Sequence, residues 1–290
     1  MAINSKMVTI LGPTASGKTQ VAIHLAQEYR AEIVCADSRT IYKGMDIGTA
    51  KPSIEEQRAV KHHLLDICEP NRPFSAAEFK VLAQKTILDI QKRGKLPLIV
   101  GGSGMYIDSI LFDYKFRNDL SNSSMAKLSN YSIDKLQDVA KEKYPKEFNA
   151  IDIKNRRRLE QLIAKGPSKD DDRNSKKIDS LVIGIQLNNA KLKQNIELRT
   201  KNILSHNFIQ EVEVLREKFG ETDVLKQTTG YSQVLDYLNG NIEDLDGLYM
   251  AIVNATWQLS RKQITWFKRN NNIHWTTNIE DIESLVKGYL

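Results

Sequence analysis

The 290-residue chain has two cysteines, Cys35 and Cys68, too few and too isolated for a disulfide framework or a zinc site. Such scarcity fits a reducing compartment. No run of 18 apolar residues is present, which argues against a membrane-spanning helix, and the first residues lack the apolar segment of a secretory signal. The chain is therefore expected to be cytoplasmic, to work without membrane or zinc, and to act as a monomer. Internal repeats are absent. Acidic residues are in deficit, 36 against 42 Lys and Arg, for a formal net charge of +6 and a pI near 9.1. That excess leans toward a polyanionic partner without establishing one, because many cytosolic enzymes are as basic. With 41% apolar residues the chain can bury a full core, and its length suits one large domain carrying an insertion.

What the chain does have begins at Met7, with MVTILGPTASGKTQVAIHLA. The stretch GPTASGKT fits the G-x-x-x-x-G-K-[ST] pattern, whose loop cradles phosphate oxygens with backbone N–H groups. Its context is what the physics requires. An apolar, β-rich run (Val8, Thr9, Ile10, Leu11) enters the loop, and a helix-period run (Val21, Ala22, Leu25, Ala26) leaves it. The glycines let successive N–H groups turn inward, the new helix adds its positive end, and Lys18 supplies a charge. Gly12, Thr14, Ala15, Ser16, Gly17, Lys18 and Thr19 are the phosphate-binding candidates. The hydroxyl of Thr19 is the candidate ligand for Mg²⁺. A nucleotide or another diphosphate or triphosphate is implied.

The first ~115 residues alternate strand-like and helix-like segments in the βαβ manner of a parallel sheet. AEIVCADS reads as a second strand ending at Asp37 and Ser38, and LPLIVGGSGMYIDSIL as a buried strand, a Gly turn and a helix. From about Asn118 to Ser180 the composition turns to Lys, Asp, Asn and Ser, so 118–180 reads as a mainly helical insertion holding the solvated stretch KGPSKDDDRNSKK. SLVIGIQL then returns to the sheet. The expected architecture is an α/β, P-loop NTPase-like parallel core of residues 1–117 and 181–290, with a helical insertion domain.

One missing residue sharpens the phosphate question. P-loop hydrolases hold Mg²⁺ partly with an acid at the end of a buried strand, but PLIVGGSG ends in Gly101, Gly102 and Ser103. Asp37 is then the nearest acid that the topology places over the phosphates, since ligands of open α/β sheets sit at strand carboxyl ends. There it could accept a proton from an attacking group or help to hold a metal. Three classes stay open on these residues: a transferase, a small-molecule kinase using ATP, and an RNA-binding switch without transfer chemistry.

GPTASGKT, ADSRTIYKGMDIGTAKP, HHLLDI, FSAAEF, PLIVGGSGMYI, GYSQVLDYLNG and RKQITWF occur in that order. Together they resemble the tRNA dimethylallyltransferases (tRNA isopentenylpyrophosphate transferases) over nearly the whole chain, and the block Asp37 to Pro52 is far more specific than the P-loop. The resemblance implies transfer of a dimethylallyl group from its diphosphate to the exocyclic N6 of the adenosine just 3′ of a tRNA anticodon. On that reading the P-loop holds the diphosphate leaving group, with Mg²⁺, and no nucleotide is hydrolysed. The resemblance assigns Asp37 as the proton acceptor and places Arg199, in NIELRTKNIL, at an arginine position for the diphosphate. Ser103, which the resemblance places with Asp37 and Arg199 among the catalytic residues, stands where the family usually has Thr, which keeps the hydroxyl near the reaction channel and loses a methyl.

For the tRNA anticodon stem-loop, Asp37, Ser38, Arg39 and Thr40 sit where an extruded base would arrive. Arg156, Arg157 and Arg158 match a basic tRNA-contacting segment of the family. A few residues on, Gln161 replaces a usual arginine and Ala164 a usual glutamate. Near the C-terminus, Arg261, Lys262, Lys268 and Arg269 recur at spacings of seven on a helix, with Trp257, Trp266 and Phe267 among them. The basic side chains could track phosphates, whereas the three aromatics are expected to pack in the core. His62 and His63 are expected to serve the fold or to stand behind the site.

Overall fold

The computed structural model describes residues 6–116, 128, 130–166 and 178–290. By their contacts they form two units, Met1–Leu111 with Ile178–Leu290, and Phe112–Lys177. The boundary expected at 117/118 and residues 167–177 of the solvated stretch lie outside the described residues.

The larger unit opens with β1 (Val8–Leu11), α1 (Lys18–Glu28), β2 (Ala31–Cys35), α2 (Ile54–Ala59), β3 (His62–His63), α3 (Ala76–Lys92), β4 (Leu96–Gly101) and α4 (Gly104–Leu111). The smaller unit holds α5 (Ile133–Lys143), α6 (Pro145–Phe148) and α7 (Arg156–Lys165). The chain then re-enters the larger unit through β5 (Leu181–Ile185), α8 (Asn189–Ser205), α9 (Phe208–Phe219), α10 (Asp223–Lys226), α11 (Tyr231–Leu238), α12 (Leu245–Phe267), β6 (His274–Thr276) and α13 (Ile279–Tyr289).

Among the described residues one sheet has six strands in the order β3-β2-β4-β1-β5-β6, every neighbouring pair parallel. Central β1 lies between β4 and β5, with Ile10 opposite both Val100 and Ile183. Every residue of β1, β2 and β5 is buried, as expected of strands covered on both faces. On one face α1 and α13 bury Ala22, Leu25, Ile282 and Val286 against Ile10, Ile33, Leu98 and Ile183. Parallel connections bring all strand carboxyl ends to one edge, where the P-loop emerges. None of the helices among the described residues is long and apolar enough to cross a membrane.

Two strands were not legible in the sequence. β3 has only two residues, and the three of β6 follow a polar turn, so neither carries a period-2 signal. β2 also stops at Cys35, before Asp37. The smaller unit has its own core, in which Leu128, Leu136, Ala140, Leu159 and Leu162 are buried. Ser132 caps α5 and Asn155 caps α7 by accepting backbone N–H groups.

Glu32, on β2, is a buried carboxylate that gathers two cations and a histidine. It pairs with the Arg93 guanidinium, the Lys95 ammonium at 2.8 Å and His63 Nε2 at 2.7 Å. The hydrogen bond from Arg93 is the largest cause of a carboxyl held well below its usual range, and Lys95 and His63 add to it. The charged form is therefore favoured by folding, so this stability is present above the unfolded carboxyl's pKa, near 4.3, and is lost as the pH falls below it. Glu32→Gln is expected to cost about 3 kcal/mol, because the cations lose their counter-charge. Urea unfolding at pH 7 measures the cost, and the difference between variant and wild type should shrink toward pH 3.

Candidate active site

The P-loop is shaped by backbone conformations that few residues tolerate. Gly12 has φ +155°, and a Cβ there would stand 2.9 Å from the Ile185 carbonyl oxygen. Gly17, at φ +88°, caps α1 without a side-chain acceptor, which leaves the helix's first N–H groups to a ligand. Ala15 also has positive φ, +62°, and its carbonyl accepts from Asn195 Nδ2 of α8 at 3.0 Å. A second brace comes from α12. Gln263 Oε1 accepts the Thr14 N–H at 2.8 Å, while Gln263 Nε2 donates to the Gly102 carbonyl at 2.9 Å. One amide thus ties the loop after β1 to the loop after β4.

Two cations meet at this loop. Lys18 Nζ donates to the Pro13 carbonyl at 2.6 Å. Arg199, reaching in from α8, donates to Thr14 Oγ1 at 2.8 Å and to the Gly48 carbonyl at 3.4 Å. Desolvation pushes Lys18 down to about 8; the Asp37 carboxylate opposes that shift and Arg199 adds to it. Arg199 is lowered by desolvation too, again against Asp37. Their hydrogen-bond acceptors are neutral and Asp37 acts on them only through its charge, so the pair is short of negative charge. An anion would supply it.

Asp37 starts the loop after β2, and its Oδ1 accepts the Arg39 N–H at 2.8 Å. Beside it, Ser103 Oγ accepts the Ser38 N–H at 2.8 Å and donates to Ser38 Oγ at 3.2 Å. Ser103 therefore braces the segment that carries Asp37, which a serine does as well as a threonine. The cavity at the strand ends is lined by Thr14, Ala15, Ser16, Gly17, Lys18, Thr19, Asp37, Thr40, His62 and Arg199, together with Gly101, Gly102 and Gln263. Ser38 and Arg39 stand outside that lining, and the Arg39 guanidinium donates to the Gln227 carbonyl at 3.3 Å.

Among the described residues, three buried side-chain polar atoms lack a hydrogen-bond partner: Ser16 Oγ, Thr40 Oγ1 and His62 Nε2. All three residues line this one cavity. Buried polar groups are normally satisfied, so a polar ligand is the natural partner for this set. His62 was expected to serve the fold or to stand behind the site, and its Nδ1 contacts the Val60 carbonyl at 2.8 Å. That contact gives Nδ1 the proton and leaves Nε2 a buried acceptor without a partner. His63 pairs with Glu32 instead. Gln263, Asn195 and Thr49 were not picked out by sequence, because amides and threonines are common and only the fold brings them here.

The other nucleic-acid candidates separate clearly. Arg156 is engaged within the smaller unit, with Glu160 at 2.8 Å and the Leu128 carbonyl at 3.0 Å. Arg158 is exposed on α7, as is Gln161, whereas the Arg157 side chain lies outside the described residues. Phe267 is buried, and Trp257 packs beside Leu192, Ile196 and Val253. Trp266 donates through Nε1 to Asp108 at 2.7 Å, and its ring lies 3.8 Å below the Arg269 guanidinium. Arg261, Lys262, Lys268 and Arg269 are exposed, but α12 ends at Phe267. Lys268 is its C-cap, still in helical conformation with its N–H on the Ile264 carbonyl, and Arg269 lies one residue past the cap.

The model of the IPP transferase family matches residues 40–270. A tRNA dimethylallyltransferase of Bifidobacterium longum is 40% identical over 287 residues, which covers 94% of this chain and 87% of that protein. One from Staphylococcus epidermidis is 34% identical, covering 93% and 86%. Among solved structures, the tRNA isopentenylpyrophosphate transferase of Bacillus halodurans superposes with a TM-score of 0.76 at 29% identity, covering 99% of this chain and 97% of that one.

Proposed function

The chain belongs to the IPP transferase family, and from that membership we propose that it transfers a dimethylallyl group from dimethylallyl diphosphate to tRNA. The acceptor is N6 of the adenosine 3′ of the anticodon, and diphosphate is released. One observation carries the reading: two desolvated cations, Lys18 and Arg199, converge on a P-loop whose cavity also holds three unpartnered polar atoms. As the C–O bond breaks, charge builds on the departing diphosphate, and prepositioned donors answer it more strongly then than in the ground state. N6 attacks the carbon and passes its proton to Asp37.

Mg²⁺ fits the donor set. Thr19 and Asp37 line the cavity with oxygen atoms, and a hard cation that keeps several waters needs few protein ligands beside the diphosphate. When bound it would neutralise charge on the phosphate oxygens. The loop from Asp37 to Thr40 receives the extruded base, while Arg157 and Arg158 of the smaller unit hold the anticodon stem-loop. The chain does this in the cytoplasm, as a monomer.

The test incubates the protein with labelled dimethylallyl diphosphate and total tRNA, and separately with ATP and candidate acceptors. Label should appear in tRNA and, after digestion, on adenosine. Label-free tRNA with phosphoryl transfer from ATP would overturn the reading in favour of a kinase. Binding of tRNA should also weaken steeply with salt. Each lost phosphate contact, Arg158→Ala among them, should flatten the slope of log K against log salt by about 0.7–0.9.

A further inference from the structure

The carboxylate of Glu211, on α9, lies outside the phosphate cavity and takes four donors. Its Oε2 accepts the N–H groups of Asp46 at 3.0 Å and Ile47 at 2.7 Å. Its Oε1 accepts the Gly48 N–H at 3.2 Å and the Tyr231 hydroxyl at 2.5 Å. Three consecutive backbone N–H groups pointing at one anion form a nest of the kind that elsewhere binds phosphate. Here the chain supplies the anion itself, and the segment 46–48 is fixed by it.

What that segment does next is the consequential part. The Gly48 carbonyl is one of the two oxygens that hold the Arg199 guanidinium, the other being Thr14 Oγ1. Both are neutral, so Arg199 is steered without having its charge cancelled. The Gly48 contact is the longer of the two, at 3.4 Å. Gly48 is seated tightly. A Cβ on it would stand 2.2 Å from the Phe208 ring and 2.6 Å from the Tyr231 ring, which meet edge to face with centroids 5.0 Å apart. Tyr231 is fully buried, and burial together with the Glu211 charge raises its hydroxyl well above the ordinary range, so it remains a donor.

We propose that Glu211 and Tyr231 are positioning residues which act through the backbone of Asp46–Gly48 to hold Arg199 over the P-loop for the diphosphate. The proposal rests on the diphosphate reading of that loop, and it assigns neither residue a contact with substrate. Its signature is coupling: Glu211 should matter for the diphosphate only while Arg199 is present.

The experiment measures binding of inorganic pyrophosphate by calorimetry to the wild type, Glu211→Gln, Arg199→Ala and the double variant. Affinity for an anticodon stem-loop and the melting temperature are followed in parallel. In Glu211→Gln an amide NH₂ replaces one oxygen and opposes a backbone N–H, so pyrophosphate affinity should fall about tenfold, with little change for the stem-loop. In the Arg199→Ala background the same change should alter pyrophosphate affinity less than about twofold. Tyr231→Phe removes one of the four donors and keeps the ring, so it should give a smaller loss in the same direction, and it carries the test if Glu211→Gln does not fold. An undiminished effect in the Arg199→Ala background, or an equal fall in stem-loop affinity, would overturn the positioning role. Failure of the wild type to bind pyrophosphate would overturn the diphosphate reading and this proposal together, so the two failures are distinct.

Discussion

Asp37→Ala is expected to lower turnover by about 10²–10⁴, the usual cost of a lost general base, while tRNA affinity changes far less. The placement of the residue is the reason. Asp37 lies two residues past the end of β2, its Oδ1 is fixed by the Arg39 N–H, and it lines the cavity that holds Lys18 and Arg199. An exocyclic amine on adenine is a poor nucleophile, and it gains most from an acceptor for the proton it must shed as the new C–N bond forms. Asp37→Asn keeps the shape and the Arg39 contact but accepts no proton, so it should share the loss. Single-turnover rates at saturating tRNA measure the effect. Turnover within a factor of a few of wild type in both variants would remove Asp37 from the base role.

The parts of this site that were legible in sequence are those whose chemistry is local. GPTASGKT declares its loop because the glycines, the lysine and the flanking strand and helix all fall within 20 residues. The buried strands β1, β4 and β5 announce themselves as apolar runs. Arg199 was reached only through family resemblance, since an arginine on a helix has no local mark that sets it apart. Gln263 was quoted within RKQITWF and still passed over. Its two hydrogen bonds span 249 and 161 residues of chain, and no period or spacing encodes such a contact. Glu211 is the same case, an acidic residue on an amphipathic helix whose meaning depends on a loop 163–165 residues earlier. His62 went the other way. Its neighbours in sequence suggested a place in the fold, but strand pairing leaves one ring nitrogen buried at the cavity without a partner.

Lys18→Ala and Arg199→Ala are each expected to weaken the transition state by about 2–4 kcal/mol, and the double variant should lose less than the sum. On the proposed reading both cations answer charge on one leaving group, and both are desolvated beside the P-loop, where an ammonium or guanidinium is worth more than in water. Groups that act as a unit on one charge are non-additive: once the first is lost, the reaction already proceeds by whatever the loop's N–H groups supply, and the second has less left to contribute. A pH profile separates the two. Lys18 stands at about 8 in the free chain, so below that pH it is charged and meets the diphosphate ready. Above it, the ammonium must first regain a proton, so pyrophosphate affinity should fall as the pH rises through 8, approaching about tenfold per unit. Arg199 stays charged throughout that range, so Arg199→Ala should keep the pH dependence at a lower affinity, whereas Lys18→Ala should flatten it. Calorimetric titration of pyrophosphate between pH 6.5 and 9.5 gives both results, roughly one unit and a half on either side of the expected break. If Arg199→Ala left the transfer rate untouched, its guanidinium would serve only to hold Thr14 and Gly48 in place. The leaving-group charge would then fall to Lys18 and the N–H groups of the loop.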